Sequence, residues 1–100
     1  MHRVTLIPGD SIGPETCEAA KAVLAAAGVK IDWDEQHFVN GRATEELLAS
    51  CRESGTVLKA RVAALREVGR LPATVQLRKD LGLWATVRPV RPLRRDAVFP

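Results

Sequence analysis

The stretch that decides the fold runs from Arg3 to Glu15: Arg3-Val4-Thr5-Leu6-Ile7-Pro8-Gly9-Asp10-Ser11-Ile12-Gly13-Pro14-Glu15. Val4, Leu6 and Ile7 read as a short buried strand, which Pro8 and Gly9 end. Pro14 fits the first position of a helix, with Glu15 and Glu18 near its positive end. A glycine-bearing turn between a strand and a helix presents backbone N–H groups to anions, and lies where α/β sheets bind ligands. The same turn also serves as a plain structural corner. It is neither the GxGxxG dinucleotide fingerprint nor a P-loop, because it contains no Lys.

Outward from this turn the pattern alternates. Thr16, Cys17, Ala20, Val23, Leu24 and Ala27 recur at helical spacing, and Gly28 is a natural cap, so a helix is predicted over 14–27. Val29 to Phe38 alternates as a strand. Asn40-Gly41 signals a turn. Thr44 caps a second helix through Leu47, Leu48 and Cys51, Gly55 closes it, and 56–58 resembles a third strand. Strand, helix, strand, helix, strand predicts an α/β fold: a partial doubly wound, mainly parallel sheet with flanking helices. Further on, 62–71 is amphipathic and helix-prone. Residues 74–81 read as a short helix capped by Thr74 and ended by Gly82. Leu83 to Val90 reads as a strand broken by Pro89, and the tail from Arg91 as a loop.

The 100 residues suffice for one small domain, which by surface scaling buries about 65% of its unfolded surface. No apolar run reaches the roughly 20 residues that cross a bilayer, so no membrane span is expected. No secretory signal is visible at the N-terminus. Cys17 and Cys51 stand far apart without ligand spacing to His2 or His37, so no metal site is expected; reduced thiols in the cytoplasm are the simplest reading. The chain has no Tyr, which leaves acid–base work to carboxylates, Lys and Cys.

Charge divides the chain. Residues 1–50 carry four basic and eight acidic side chains, a balance of −4, and residues 51–100 carry eleven and four, a balance of +7. Nine of those eleven are Arg, suited to bidentate contact with carboxylate or phosphate. An anion-binding face and a solvated surface are both consistent with this. Nucleic acid is not the expected partner, since only Trp84 and Phe99 in that half offer a stacking surface.

Ile7 to Glu15 closely resembles I-P-G-D-G-I-G-P-E, the opening of the isocitrate and isopropylmalate dehydrogenase family. AAGVKIDW at 26–33, VLK at 57–59 and TVQLRKDLGLWATVRPVR at 74–91 agree in order with the same family. The resemblance covers nearly the whole chain as a single domain, 1–100, similar to the N-terminal third of the family's fold. It implies oxidative decarboxylation of a 2-hydroxy polyacid, with NAD or NADP and with Mg2+ or Mn2+ polarising the hydroxyl. On this resemblance Arg78 and Arg88 hold substrate carboxylates, Thr74 and Lys59 join them, and Ile12 packs near the cofactor adenine.

The departures bear on activity. Ser11 replaces a glycine of the first motif. The family's threonines fall on Ala63 and Ala64, its substrate-contacting serine on Pro72, and its asparagine on Thr74. About one helix of the family is missing between Phe38 and Thr44. No residue here matches the metal-binding aspartates or the catalytic tyrosine and lysine, so the chain alone is expected to bind neither cofactor nor metal and to be inactive. A homo-oligomer or a protein partner is expected instead, with a polycarboxylate anion as ligand. The alternative reading is a non-catalytic interaction or inhibitory module that re-uses the fold and its Arg-rich face.

Overall fold

The computed structural model describes residues 1–62 and 71–94. Its elements are β1 (His2–Ile7), α1 (Gly13–Ala26), β2 (Ile31–Glu35), α2 (Glu45–Ser54), β3 (Val57–Lys59) and α3 (Ala73–Asp80). The helix expected over 62–71 and the tail from residue 95 on lie outside the described residues.

The three strands form a parallel sheet in the order β2-β1-β3. Thr5 is level with Asp34 on one side and Val57 on the other. β1 is therefore the central strand, and Val4, Thr5, Leu6 and Ile7 are all buried, as a parallel strand covered on both faces requires. The chain leaves β1 toward β2, then returns past β1 to β3. Right-handed crossovers in these two directions place α1 and α2 on opposite faces. Alternation along β1 gives Thr5 and Ile7 to the α2 face, and Val4 and Leu6 to the other. On the α2 face Ile7 packs with Leu47, Leu48, Cys51 and Leu77, so α3 joins the same core.

The helix ends follow local chemistry. Thr44 accepts the Leu47 amide at 3.1 Å, and Gly55 closes α2 in the left-handed region, both as predicted. α1 starts at Gly13, so Pro14 is its second residue; in the first turn its missing N–H leaves no bond unmade. Asn40 and Gly41 both take positive φ, and the Val39 and Arg42 backbones exchange hydrogen bonds across them, a two-residue hairpin.

Two expectations are corrected. Thr74 does not cap α3: the helix begins at Ala73, with Pro72 at the cap position making no side-chain bond. Burial of Ala73 and Leu77, four residues apart, sets where this helix starts. Leu83 to Val90 does not form a fourth strand; the stretch is in neither helix nor sheet. Pro89 lacks the N–H that a ladder needs, and its ring restricts Arg88 as well. A backbone bond ties the start of this stretch to α3. The Leu83 amide donates to the Arg78 carbonyl beside that of Gly82 to Lys79, the paired closure of a helix by a left-handed glycine.

Buried polar groups on the α2 face are satisfied as a set. The Thr5 hydroxyl lies 2.7 Å from Ser50 Oγ and 2.8 Å from Ser54 Oγ. Ser50 donates to the Asp34 carboxylate, and Ser54 to the Thr56 carbonyl. Arg3 bridges Asp34 and Glu53 from the rim at 3.4 and 3.0 Å.

The Ser50 hydroxyl, aided by Gln36 and Arg3, holds the Asp34 carboxyl below its usual value against the opposing effect of burial. A carboxyl that binds its proton less tightly folded than unfolded stabilises fully above the unfolded value, 3.8, and that contribution is lost as pH falls through the lower folded value. Asp34→Asn is therefore expected to flatten the acid limb of the stability–pH curve below about pH 4. Thermal melts of both proteins from pH 2 to 6 check this, and parallel acid limbs would remove Asp34 from the linkage.

Candidate functional site

The sequence β1–turn–α1 builds one wall of the site. Gly9 takes φ +69, and a Cβ there would lie 2.1 Å from the Arg61 carbonyl oxygen. A Cβ on Gly13 would lie 2.0 Å from the Pro8 carbonyl oxygen and 3.3 Å from Ala60 Cβ. Neither position has room for a side chain. The Asp10 amide donates to the Arg61 carbonyl and the Ala60 amide to that of Ile7, so the turn is fastened to the segment that leaves β3. These contacts bring the carboxyl ends of β1 and β3 together. In a sheet of order 2-1-3 the connections leave these neighbours in opposite directions, which opens the crevice where such folds take ligands.

Lys59, the last residue of β3, stands at that crevice, half-buried. Its ammonium donates to the Ala60 carbonyl at 3.0 Å. Burial first, then the charge of Arg78, pushes its pKa below the ordinary lysine value. The structure thus brings together two residues that are nineteen positions apart in sequence, and both are cations. Arg78 comes from the last turn of α3, where its charge also complements the helix dipole. Thr74 lies one turn earlier on α3, half-buried. An anion between Lys59 and Arg78 relieves their mutual repulsion, and a carboxylate matches the guanidinium fork.

The other two expected residues are placed differently. Arg88 stands in the irregular stretch 83–94, exposed, and on neither wall just described. Ile12 occupies the cap position of α1, 60% exposed at the far side of the turn, an apolar surface open to a flat ring. Among the described residues no three His, Cys, Asp or Glu side chains come together as a metal site would need. A separate cleft of about 460 Å³ lies between the hairpin at Gly41, α2 and α3. Its charged lining is mixed, Arg42 and Arg52 against Glu45 and Asp80, and it includes none of the expected substrate- or cofactor-site residues.

Two features of the site were missed in the sequence. The repulsion of Lys59 by Arg78 depends on where α3 docks, and no local pattern records that. Ser11 sits at φ 57, in the left-handed region. The signal for this was present, because the family pattern has glycine at that position.

The comparisons with known proteins agree with this architecture. Residues 3–98 match the family model described as isocitrate/isopropylmalate dehydrogenase. The chain is 40% identical over 94 residues to an Arabidopsis thaliana protein named mitochondrial isocitrate dehydrogenase [NAD] catalytic subunit 6, covering 87% of this chain and 25% of that one. It is 39% identical over 95 residues to a chloroplastic 3-isopropylmalate dehydrogenase of Solanum tuberosum, covering 87% and 26%. The apo crystal structure of a β-decarboxylating dehydrogenase from Thermococcus kodakarensis superposes with a TM-score of 0.73 at 33% identity, covering 84% and 28%. The isocitrate dehydrogenase of Methylococcus capsulatus gives 0.73 at 34%, covering 82% and 26%. The chain belongs to the isocitrate/isopropylmalate dehydrogenase family. It spans about a quarter of the length of the curated relatives it matches.

Two outcomes test the geometry. Ser11→Gly is expected to stabilise the chain by about 0.5–1 kcal/mol: relief of about 1–2 kcal/mol of left-handed strain is offset in part by the entropy of an added glycine. Urea midpoints read the difference, and a loss of stability would place the strain elsewhere. Arg78→Ala is expected to raise the Lys59 pKa, read from the Lys59 side-chain carbon shifts across an alkaline titration. An unmoved titration would separate the two charges.

Proposed function

We propose that this chain carries the carboxylate-holding part of a decarboxylating dehydrogenase's substrate site and does not turn substrate over by itself. The observation that supports this reading is that Lys59, at the carboxyl end of β3, feels the charge of Arg78 from the last turn of α3. Two cations that feel each other's charge favour an anion nearby. The ligand proposed is a 2-hydroxy polyacid of the isocitrate kind, with one carboxylate on Lys59 and Arg78. Thr74 offers a hydroxyl one turn away, and Arg88 takes a second carboxylate once its stretch is held against the site. As the N-terminal portion of the family's fold, the chain supplies binding and orientation.

The family's chemistry uses NAD or NADP and a divalent metal. Ile12 is proposed to pack against the adenine of a dinucleotide. The described residues gather no carboxylate cluster for Mg2+ or Mn2+, so no step is assigned to a metal here. A protein partner or a second copy of the chain would complete the site. The exposed Leu71, Leu83 and Trp84 favour such an association, being an apolar surface that a lone monomer seldom carries. The free thiols Cys17 and Cys51 fit a reducing compartment, and the cytoplasm is the one proposed. No described helix is long and apolar enough to cross a membrane.

The experiment is a pair of measurements on the purified chain. With isocitrate, NAD or NADP and Mg2+, no reduction of the nucleotide is expected. With citrate in low salt, binding near the millimolar range is expected by calorimetry, falling about tenfold or more on Arg78→Ala and weakening in 0.2 M salt. Nucleotide reduction abolished by Arg78→Ala would show that the chain is an enzyme by itself. Citrate binding indifferent to Arg78 and Lys59 would move the anion elsewhere.

A further inference from the structure

Alternation along β2 gives Ile31 and Trp33 to the same face of the sheet as Val4, which is level with Trp33, and that is the face of α1. Lys21 and Leu24, three residues apart, share one stripe of α1. Gly28, at φ +81, ends the helix: its amide and those of Ala27 and Val29 take the carbonyls of Ala25, Val23 and Leu24. The chain therefore turns back at once, and Val29 and Lys30 lead into β2. Between these parts lies a pocket of about 280 Å³. Leu24, Val29 and Ile31 give it an apolar wall with the Trp33 ring beside them, and its charged side chains are Lys21 and Lys30.

The charge here runs against its surroundings. Residues 1–50 hold eight acidic side chains and four basic ones, yet two of those four meet at this pocket and no acidic side chain lines it. The Lys21 ammonium stands 6.0 Å from the centroid of the Trp33 ring. It also bonds Glu18 at 3.1 Å, but that carboxylate is exposed, and water screens such a pair. Lys30 has no ion pair among the described residues. An apolar hollow is thus edged by positive charge that nothing inside it neutralises.

We propose that this pocket binds a small monocarboxylate with an apolar body, its charge held by Lys21 and Lys30 and its body against Leu24, Val29, Ile31 and the Trp33 ring. An apolar lining with a few convergent polar groups is the usual make-up of a small-molecule site. The volume equals that of about nine waters, which limits the ligand to about ten heavy atoms. The sign of the lining disfavours a metal ion or an amine. The balance of −4 in the surrounding half opposes a polyanion, so a single negative charge fits best. Ile31 opens β2, which puts the pocket at the amino end of the sheet, whereas Lys59 closes β3 at the carboxyl end. It is therefore a second site, apart from the crevice, and its tests leave Lys59, Arg78 and Arg88 unchanged.

The chain has two Trp, and Trp84 is 93% exposed, so Trp84→Phe leaves Trp33 as the sole reporter. The probe is phenylacetate, titrated into this full-length variant at low salt while Trp33 emission is followed. A saturable change with a midpoint in the millimolar range is expected. Phenylacetamide has the same shape without the charge and is expected to bind at least tenfold more weakly. Lys30→Gln is expected to weaken phenylacetate severalfold, and Lys21→Gln likewise. Lys30 is exposed, and unchanged helical circular dichroism verifies that the fold persists. No saturable change up to about 50 mM, an equal response to phenylacetamide, or a midpoint indifferent to both lysine changes would each overturn the proposal. So would citrate acting on Trp33 at the same concentrations, since the pocket would then take anions without regard to an apolar body. Citrate that binds through Arg78 and leaves Trp33 unmoved keeps the two sites distinct.

Discussion

One buried hydroxyl holds the architecture in register. Thr5 sits at the centre of the central strand with no exposure to solvent, and a hydroxyl in such a place must be bonded. Ser50 and Ser54, on successive turns of α2, meet it. Ser50 continues to Asp34 on β2, and Ser54 to the carbonyl just before β3. A single side chain thereby fixes the height of α2 over all three strands. That height puts Leu47 and Cys51 against Ile7, and the same cluster receives Leu77 of α3. Since Arg78 follows Leu77, its distance from Lys59 is settled at the far end of this chain of contacts.

The glycine turn works on a different principle. The hydroxyl set acts by attraction, whereas Gly9 and Gly13 act by leaving space, since a Cβ at either would overlap a carbonyl oxygen. The backbone approach they permit closes the turn onto Ala60 and Arg61 and keeps Lys59 near the mouth of the crevice. Ser11 departs from this economy: it adopts a left-handed conformation that glycine takes without strain.

Much of this was legible in the residues. Thr44 and Gly55 bracket α2 because their chemistry is local, and so are Pro14 and Gly28 at the ends of α1. The parallel order followed from alternation. What escaped was non-local or dependent on partners. Thr74 looked like a cap because Thr is a good one, yet packing of Ala73 and Leu77 started the helix a residue early. Leu83 to Val90 looked like a strand because Leu, Val and Trp favour strands, yet Pro89 lacks the N–H that a ladder needs. The pairing of Lys59 with Arg78 had no local signature, because two like charges attract no notice until a fold forces them together.

The strand order also governs how the molecule comes into being. β1 is made first but needs both β2 and β3 as neighbours, and Thr5 finds its second neighbour only when Val57 has been synthesised. Until then a run of Val4, Leu6 and Ile7 waits unpaired, with two open edges. Closing both pairings brings distant residues together, which is slow, and the delay exposes a surface on which other nascent chains can associate. Arg3, directly before that run, places a charge beside it through the interval, a gatekeeper against association during synthesis as well as a bridge to Asp34 and Glu53 afterwards.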